Sequence, residues 1–178
     1  MSSRRVDIPV AELLVRPFEI WDRGWFLLSS GDLASGRFNT MTVSWGFFGT
    51  VWNRPVAQVL VRPTRHTFGF MEEHDDFTLC AFPESSREAL RLLGTLSGRD
   101  GDKIAASGLH PEAALRVSSP AFSEAELIVE CRKIHSQDLD PSRFIDSSIG
   151  DEYPRRDYHR IYLGEILAVS GLASYRGA

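Results

Sequence analysis

The chain has 178 residues, of which 43% are hydrophobic and 25% charged, and its formal net charge is −4. A length in this range predicts one domain over residues 1–178, with about the first 20 residues as an N-terminal extension. The negative charge argues against a general nucleic-acid binder, because such a protein attracts phosphates with a basic surface. It is compatible with a local basic pocket for a single phosphate.

Cys80 and Cys131 lie in separate apolar stretches and form no Cys-x-x-Cys pair. We expect two reduced, buried thiols and no metal site, since no close spacing of Cys and His predicts zinc. No stretch approaches the roughly 20 apolar residues of a membrane helix. Acidic residues and Pro9 interrupt the segment after Arg4 and Arg5, where a secretory signal would continue. The sequence therefore predicts a cytoplasmic protein with no membrane partner.

Short apolar runs separated by Gly, Pro, Asp and Ser turns are typical of a β-rich domain with a few helices. A turn is predicted at 30–32, after the first strand. Strands are predicted at 25–29, 41–46, 56–62, 77–82, 126–132 and 160–169. The lack of a regular strand-helix alternation, and of any Gly-x-Gly-x-x-Gly motif, argues against a Rossmann sheet. A small antiparallel barrel with inserted helices fits better.

Three short helices are predicted between these strands. The first covers 64–73, with Thr64 as its N-cap. The second follows a capping box formed by Ser85 and Glu88. The third covers 102–107.

Three polar clusters follow one another in the first two thirds of the chain, and they are Asn39-Thr40-Met41-Thr42-Val43-Ser44-Trp45-Gly46, Val61-Arg62-Pro63-Thr64-Arg65-His66-Thr67 and Ser97-Gly98-Arg99-Asp100-Gly101-Asp102-Lys103. In the first cluster, small side chains alternate along a strand, so its backbone could lie close against a planar ligand. Its main-chain groups and hydroxyls supply both donors and acceptors.

The second and third clusters have the chemistry of a phosphate site. Arg62 and Arg65 carry guanidinium forks that pair with phosphate oxygens, and a helix start beside them adds main-chain donors. Gly98 permits a tight turn, and Lys103 brings a point charge. Taken singly, the clusters also fit a solvated basic turn and a polar loop whose aspartates cap a helix. Asp100-Gly101-Asp102 lacks the rest of a calcium-binding loop.

The order and spacing of the three clusters resemble the flavin reductase family, whose FMN-binding domain is a split β-barrel and which includes flavoredoxins. Asp157-Tyr158-His159-Arg160-Ile161-Tyr162-Leu163-Gly164-Glu165-Ile166 is similar to the family's closing strand, His-x-x-aromatic-x-Gly-Glu. The similarity covers residues 39–109 and 157–167. It implies an α+β fold, a split β-barrel with inserted short helices.

The same resemblance implies the binding residues for FMN. The ring would lie along Asn39, Thr40, Met41, Thr42, Val43, Ser44 and Trp45, and the phosphate would be held by Arg62, Arg65, Thr67, Ser97, Gly98 and Lys103. His159 would lie near the flavin or the nicotinamide, where it could donate a hydrogen bond or a proton. The alternative for His159 is a partly exposed strand histidine, and for Trp45 and Trp52 it is core packing rather than a place beside the ring.

The resemblance implies an oxidoreductase in which NADH or NADPH passes a hydride to FMN, and electrons then pass to free flavin, a partner monooxygenase or another acceptor. A flavoredoxin-like electron carrier with bound FMN and no nicotinamide site is the second hypothesis. The third hypothesis is a ligand-binding barrel without redox activity, because architecture alone does not determine function. The resemblance also implies a homodimer.

Overall fold

The computed structural model describes residues 4–177 of the chain. The strands in this range are β1 (Val6–Asp7), β2 (Phe26–Asp32), β3 (Arg37–Val43), β4 (Gly46–Val51), β5 (Arg54–Val61), β6 (Asp76–Ala81), β7 (Pro111–Glu112), β8 (Ala121–Phe122), β9 (Leu127–Asp138) and β10 (Arg160–Gly171). The α-helices are α1 (His66–Glu73), α2 (Arg87–Thr95) and α3 (Lys103–Ser107). No helix within 4–177 is both long and apolar enough to cross a membrane.

One antiparallel sheet organises the molecule, with the strand order β3-β2-β6-β9-β10-β5-β4 and with β1 paired to β10. The two longest strands, β9 and β10, pair with register shifts at Leu163/Gly164 and again at Ile166/Ala168. Such bulges bend and twist a strand, as a curled sheet requires. Gly164 allows the close approach at the first bulge, because a Cβ there would lie 2.5 Å from the Phe77 ring.

The central strands are buried on both faces, which explains why their sequences are apolar runs and not alternating patterns. In β2, Phe26 and Leu28 point into the larger core cluster, and Leu27 between them points into a second cluster. The second cluster includes Leu90 and Leu93 of α2. Helix α2 therefore covers the outer face of the sheet and lies against β3, where the candidate site is found.

The predicted turn at Ser30-Gly31-Asp32 is wrong, because β2 continues to Asp32 and the chain turns only afterwards. Gly31 adopts a φ of 132°, and a Cβ there would lie 2.4 Å from the Arg37 carbonyl oxygen across the hairpin. Glycine is thus required by a close strand approach, not by a turn.

Both predicted N-caps are also wrong. Helix α1 begins at His66 and has no side-chain cap, while the Thr64 hydroxyl donates to the Asp157 carboxylate at 3.4 Å. Helix α2 begins after a short 3₁₀ turn that includes Ser85, and it has no side-chain cap. Its Glu88 instead pairs with Arg91. In contrast, Asp102 does cap α3, since its carboxylate accepts from the Ala105 N–H at 3.0 Å.

Part of the segment predicted as an N-terminal extension belongs to the folded domain. Val6 and Asp7 pair with Gly171 and Ser170 of β10. Ile8 is 2% exposed in the larger core.

Candidate functional site

Two adjacent cavities lie between β3, the end of β5 and the α2–α3 connection, and Met41 lines both. The cationic cavity, of about 140 Å³, is lined by Asn39, Met41, Thr64, Arg65, His66, Thr67, Thr95, Leu96, Ser97, Arg99 and Lys103. The histidine cavity, of about 160 Å³, is lined by Met41, Thr42, Val43, Ser44, Trp45, Leu60, Arg62 and His159. A single ligand that follows β3 would therefore contact both.

Side-chain hydrogen bonds from β3 fix the helices that form the walls. The Asn39 amide donates to the Thr67 hydroxyl of α1 at 2.8 Å, and the Thr42 hydroxyl donates to the Leu90 carbonyl of α2 at 2.5 Å. Strand β3 ends at Val43, so Trp45 does not continue its alternation into the core and is 43% exposed. The break after β3 is what gives the histidine cavity an aromatic wall.

Three cations line the cationic cavity, and each donates to main-chain carbonyls. The bonds are Lys103 Nζ to Leu93 O at 2.9 Å and Leu96 O at 3.1 Å, Arg65 Nη2 to Gly94 O at 2.5 Å, and Arg99 Nη1 to Thr64 O at 3.3 Å. Within residues 4–177 none of the three forms a salt bridge. Their positive charge is therefore oriented by neutral oxygens and is not cancelled by a carboxylate.

The titration behaviour of these groups agrees with uncompensated positive charge. Burial, together with the nearby Arg65 charge, lowers the pKa of Lys103 to about 8. Burial and the charges of Arg99 and Lys103 lower the pKa of His66. An anion in the cavity would relieve this repulsion. The first N–H groups of α1, at His66 and Thr67, have no acceptor inside the helix and add to the attraction for an anion.

Gly98 is close-packed behind the cationic cavity. A Cβ at this position would lie 2.4 Å from the Asn39 Oδ1 atom and 3.0 Å from the His66 ring. Glycine is therefore needed to let the α2–α3 connection approach β3. The hydroxyl of the preceding Ser97 accepts from the Arg99 N–H at 3.2 Å and shapes the turn.

Arg62 lines the histidine cavity and not the cationic cavity, whereas the prediction places it at the phosphate together with Arg65. Its Nη1 atom donates to both carboxylate oxygens of Asp157 at 3.0 and 3.2 Å. Its Nη2 atom donates to the Glu152 carbonyl at 2.9 Å. Because a carboxylate already neutralises this guanidinium, Arg62 is better suited to a neutral ligand group than to a phosphate.

His159 is the buried titratable group of the histidine cavity, with 9% of its surface exposed. Its Nδ1 atom is 2.8 Å from the Tyr153 hydroxyl, and its ring lies 5.1 Å from the Trp45 ring. Burial and the Arg62 charge lower the pKa of His159 to about 4, with Asp157 opposing them. The imidazole is therefore neutral near pH 7 and can donate one hydrogen bond.

All the predicted site residues line one of the two cavities except Thr40 and Gly98. The Thr40 hydroxyl points away, into the sheet, where it donates to the Leu28 carbonyl at 3.0 Å. Trp52, the alternative ring neighbour, lies in the β4–β5 turn, is 61% exposed and lines neither cavity.

The predicted site residues do not include Thr64, His66, Thr95, Leu96 and Arg99 of the cationic cavity or Leu60 of the histidine cavity. Of these, Thr64, His66 and Arg99 stood inside the polar clusters, so the signal was present. Tyr153, which supports His159, stands in a stretch that carried no motif.

Other features of the described chain do not compete with this site. Two larger cavities, each of about 590 Å³, lie elsewhere, and none of the predicted site residues lines them. Burial raises the pKa of Cys80 to about 12 and that of Cys131 well above its usual value, so neither is an activated nucleophile. Within residues 4–177, no cluster of three or more His, Cys, Asp or Glu side chains is placed to share a metal ion.

Comparison with known proteins decides the family. Residues 22–175 match the family model described as the flavin reductase like domain. The chain belongs to the flavin reductase-like family. No curated protein sequence matches it. The flavin reductase-like assignment is confirmed, and with it the prediction of a β-rich split barrel with inserted short helices.

Solved structures similar to this flavin reductase-like protein share its fold at low sequence identity. An FMN-binding domain of a flavin reductase-like enzyme from Shewanella baltica is 14% identical, with a TM-score of 0.70 over 96% of this chain and 78% of that one. The flavoredoxin of Desulfovibrio vulgaris is 22% identical, with a TM-score of 0.66 over 90% and 73%. An NADH:FAD oxidoreductase from Streptomyces globisporus is 14% identical, with a TM-score of 0.65 over 86% and 78%.

Proposed function

We propose that the protein binds FMN across the two cavities and acts as an NAD(P)H-dependent flavin reductase. The observation that carries this proposal is the group of three cations that have no carboxylate partner among residues 4–177, next to a cavity whose arginine is paired with a carboxylate along the same strand. A flavin mononucleotide has the matching parts, a dianionic phosphate and an uncharged ring. The family membership and the FMN-binding domain from Shewanella baltica support the choice of ligand.

In this proposal the phosphate lies in the cationic cavity. Arg65, Arg99 and Lys103 provide charge-assisted donors, and the first turn of α1 provides main-chain N–H groups. Asn39 and Gly98 act indirectly, since they hold β3, α1 and the α2–α3 connection together. Because these donors are already oriented by hydrogen bonds, little conformational freedom is lost on binding.

The ring edge lies in the histidine cavity, along the backbone from Met41 to Trp45. When bound, the flavin supplies the hydride and electron chemistry, and the protein orients it and sets its surroundings. Trp45 and Met41 exclude water from the ring. His159 offers a donor from a neutral imidazole, and the Arg62–Asp157 pair keeps the cavity close to neutral.

The first test is the visible absorption spectrum of the purified protein, recorded before and after FMN is added and the protein is desalted. A retained flavin spectrum supports the proposal. A protein that neither retains FMN nor quenches its fluorescence in a titration contradicts it. Anaerobic stopped-flow mixing of the FMN complex with NADH and with NADPH then measures reduction. The NADH:FAD oxidoreductase from Streptomyces globisporus supports a nicotinamide as the donor.

A flavoredoxin-like electron carrier with bound FMN is the second candidate. The structural similarity to the Desulfovibrio vulgaris flavoredoxin favours it. The two candidates differ in one measurement. If the bound flavin stays oxidised with both nicotinamides but is reduced by a donor protein, the protein is a carrier.

A homodimer in the cytoplasm, passing electrons to free flavin or to a partner monooxygenase, belongs to the same proposal. The sheet ends at β4, where Phe47 is 43% exposed, and the adjoining turn exposes Trp52. Exposed aromatic residues on an unpaired sheet edge favour contact with a second copy. Sedimentation that shows only a 20.0 kDa species would contradict the dimer.

The free, buried state of Cys80 and Cys131 is the one expected in a reducing compartment.

A further inference from the structure

The segment 139–158 forms most of the connection from β9 to β10 and is attached to the wall of the histidine cavity through Arg62. The Arg62 guanidinium bonds to Asp157 and Glu152 of this segment, and its central carbon lies 5.0 Å from the centre of the Tyr153 ring. Three contacts from one cavity residue therefore fix the position of Tyr153.

Tyr153 is buried directly behind His159. It is 4% exposed, and its ring centre lies 6.1 Å from that of Phe144 and 5.0 Å from that of Tyr158. Its hydroxyl lies 2.8 Å from His159 Nδ1 and has no other hydrogen-bond partner among residues 4–177. The aromatic cluster and Arg62 thus hold the phenol against one nitrogen of the imidazole.

The direction of this hydrogen bond follows from what each group can donate. Burial raises the pKa of Tyr153, so the phenol keeps its proton at neutral pH. The neutral His159 ring carries a single proton. If that proton were on Nδ1, the buried phenol proton would have no acceptor in the described chain, which is unfavourable. The phenol therefore donates to Nδ1, and the imidazole proton lies on Nε2.

We propose that Tyr153 is a positioning residue, which holds His159 as the tautomer protonated on Nε2 and so presents a hydrogen-bond donor to the histidine cavity. The donor would serve a hydrogen-bond acceptor on the ring of a flavin or nicotinamide. This role rests on the proposed function, but the tautomer itself is a property of the protein alone. The charged groups that act on the pair are Arg62, Asp157 and Glu152, and Arg62 forms a salt bridge with Asp157.

The test compares Tyr153→Phe with Tyr158→Phe. The first substitution removes the hydroxyl that bonds His159 and keeps the ring that packs. The second removes a hydroxyl with no hydrogen bond among the described residues, from a ring that packs against Tyr153. Histidine-labelled protein gives the tautomer from its ring ¹⁵N and ¹³C chemical shifts, and His159→Gln identifies the His159 signals.

In wild-type protein at pH 7 we expect His159 to carry its proton on Nε2, and we expect the same in Tyr158→Phe. In Tyr153→Phe the preference should be lost and both tautomers should be seen. The proposal is overturned if the wild-type proton lies on Nδ1, or if Tyr153→Phe keeps the wild-type tautomer.

Kinetics test whether the tautomer matters for function. With FMN bound, Tyr153→Phe should slow NAD(P)H-dependent flavin reduction about tenfold, while the FMN dissociation constant stays within about twofold of wild type. Tyr158→Phe should change neither. An equal loss of FMN affinity and of rate would indicate a structural role and overturn the positioning assignment, as would an unchanged rate in Tyr153→Phe. If wild-type protein shows the Nε2 tautomer but does not bind FMN, the proposed function fails and the tautomer assignment stands.

Discussion

The cationic cavity and the histidine cavity are both lined by arginine, but the guanidinium has a neutral hydrogen-bond acceptor in the first and a carboxylate partner in the second. Arg65 donates to the main-chain carbonyl of Gly94, so its charge is oriented and left available. Arg62 donates to the carboxylate of Asp157, so its charge is paired with a negative one. The difference shows that an arginine in a sequence motif does not identify an anion site until its partner is known. The cavity whose cations donate to neutral oxygens throughout the described part of the chain is the one suited to a phosphate.

The largest effect should come from removing two of the available charges together. In Arg65→Gln/Lys103→Met the FMN dissociation constant should rise about a thousandfold, because each charge-assisted hydrogen bond contributes roughly 1.5–3 kcal/mol. Binding of riboflavin, which lacks the phosphate, should change much less. Fluorescence titration of both ligands gives the two constants.

Two further variants keep this result interpretable. Arg16→Gln removes an arginine whose side chain is 87% exposed and which lines neither cavity, so it should leave both constants unchanged. Arg99→Gln removes an exposed member of the cationic cavity and tests it even if the double variant is unstable. If riboflavin and FMN lose affinity equally, the cavity does not hold the phosphate.

The next effect concerns the histidine cavity and acid stability. The pKa of His159 falls from 6.5 to about 4 on folding, so below pH 6.5 the unfolded chain takes up a proton that the folded chain does not. Unfolding free energy should therefore decrease as the pH falls from about 6.5 to 4, by about 3 kcal/mol in total, and should not change through this group above pH 6.5.

Urea unfolding between pH 7.5 and 4.5 measures this contribution as the difference between wild type and His159→Gln. The exposed His135 provides the matched control for a His→Gln substitution outside the cavity. An identical pH profile in His159→Gln and wild type would show that burial does not keep the imidazole neutral.

A third prediction tests the packing behind the cationic cavity. Gly98→Ala places a Cβ within 2.4 Å of the Asn39 side chain, which must then leave its hydrogen bond to Thr67. We expect a loss of about 2 kcal/mol of stability, in the range of overpacked sites. Gly69→Ala is the control, because a Cβ there meets no atom within 4 Å and should stabilise α1 by about 0.5–1 kcal/mol. Thermal or urea unfolding measures the stability of each variant. Equal stability of Gly98→Ala and wild type would contradict the packing argument.

The strands and part of the lining of the cationic cavity could be predicted from the sequence because both depend on local patterns. Apolar runs such as Phe77 to Phe82 indicate strands buried on both faces. Arg65 and Lys103 stand among other motif residues, in the turn before α1 and at the start of α3. The predicted end of the first strand was wrong because Gly31 was interpreted as a turn residue. This glycine instead allows a close approach to the neighbouring strand.

Seven of the eight residues that line the histidine cavity were predicted, but its charge balance was not, because that balance depends on residues far apart in sequence. Arg62 and Asp157 are 95 positions apart, and no pattern in the sequence around either residue predicts their salt bridge. Tyr153 is six positions from His159, but no motif marks it, and its ring is held by Arg62 from a distant part of the chain. Long-range partners of this kind decide whether a charge is available, and only the fold brings them together.

The smallest predicted effect is the pH dependence of phosphate binding in the cationic cavity. Lys103 has a pKa of about 8 in the protein alone, so it loses its charge as the pH rises through this value, and a phosphate that binds the charged form then binds less tightly. The ratio of FMN affinity to riboflavin affinity should fall by up to about tenfold between pH 7 and pH 9. The ratio removes any effect of pH on binding of the flavin ring, because both ligands contain this ring. In Lys103→Met the ratio should be flat over this range. A wild-type ratio that does not change would mean that Lys103 stays charged or does not face the phosphate, and a ratio that falls equally in Lys103→Met would assign the titration to another group.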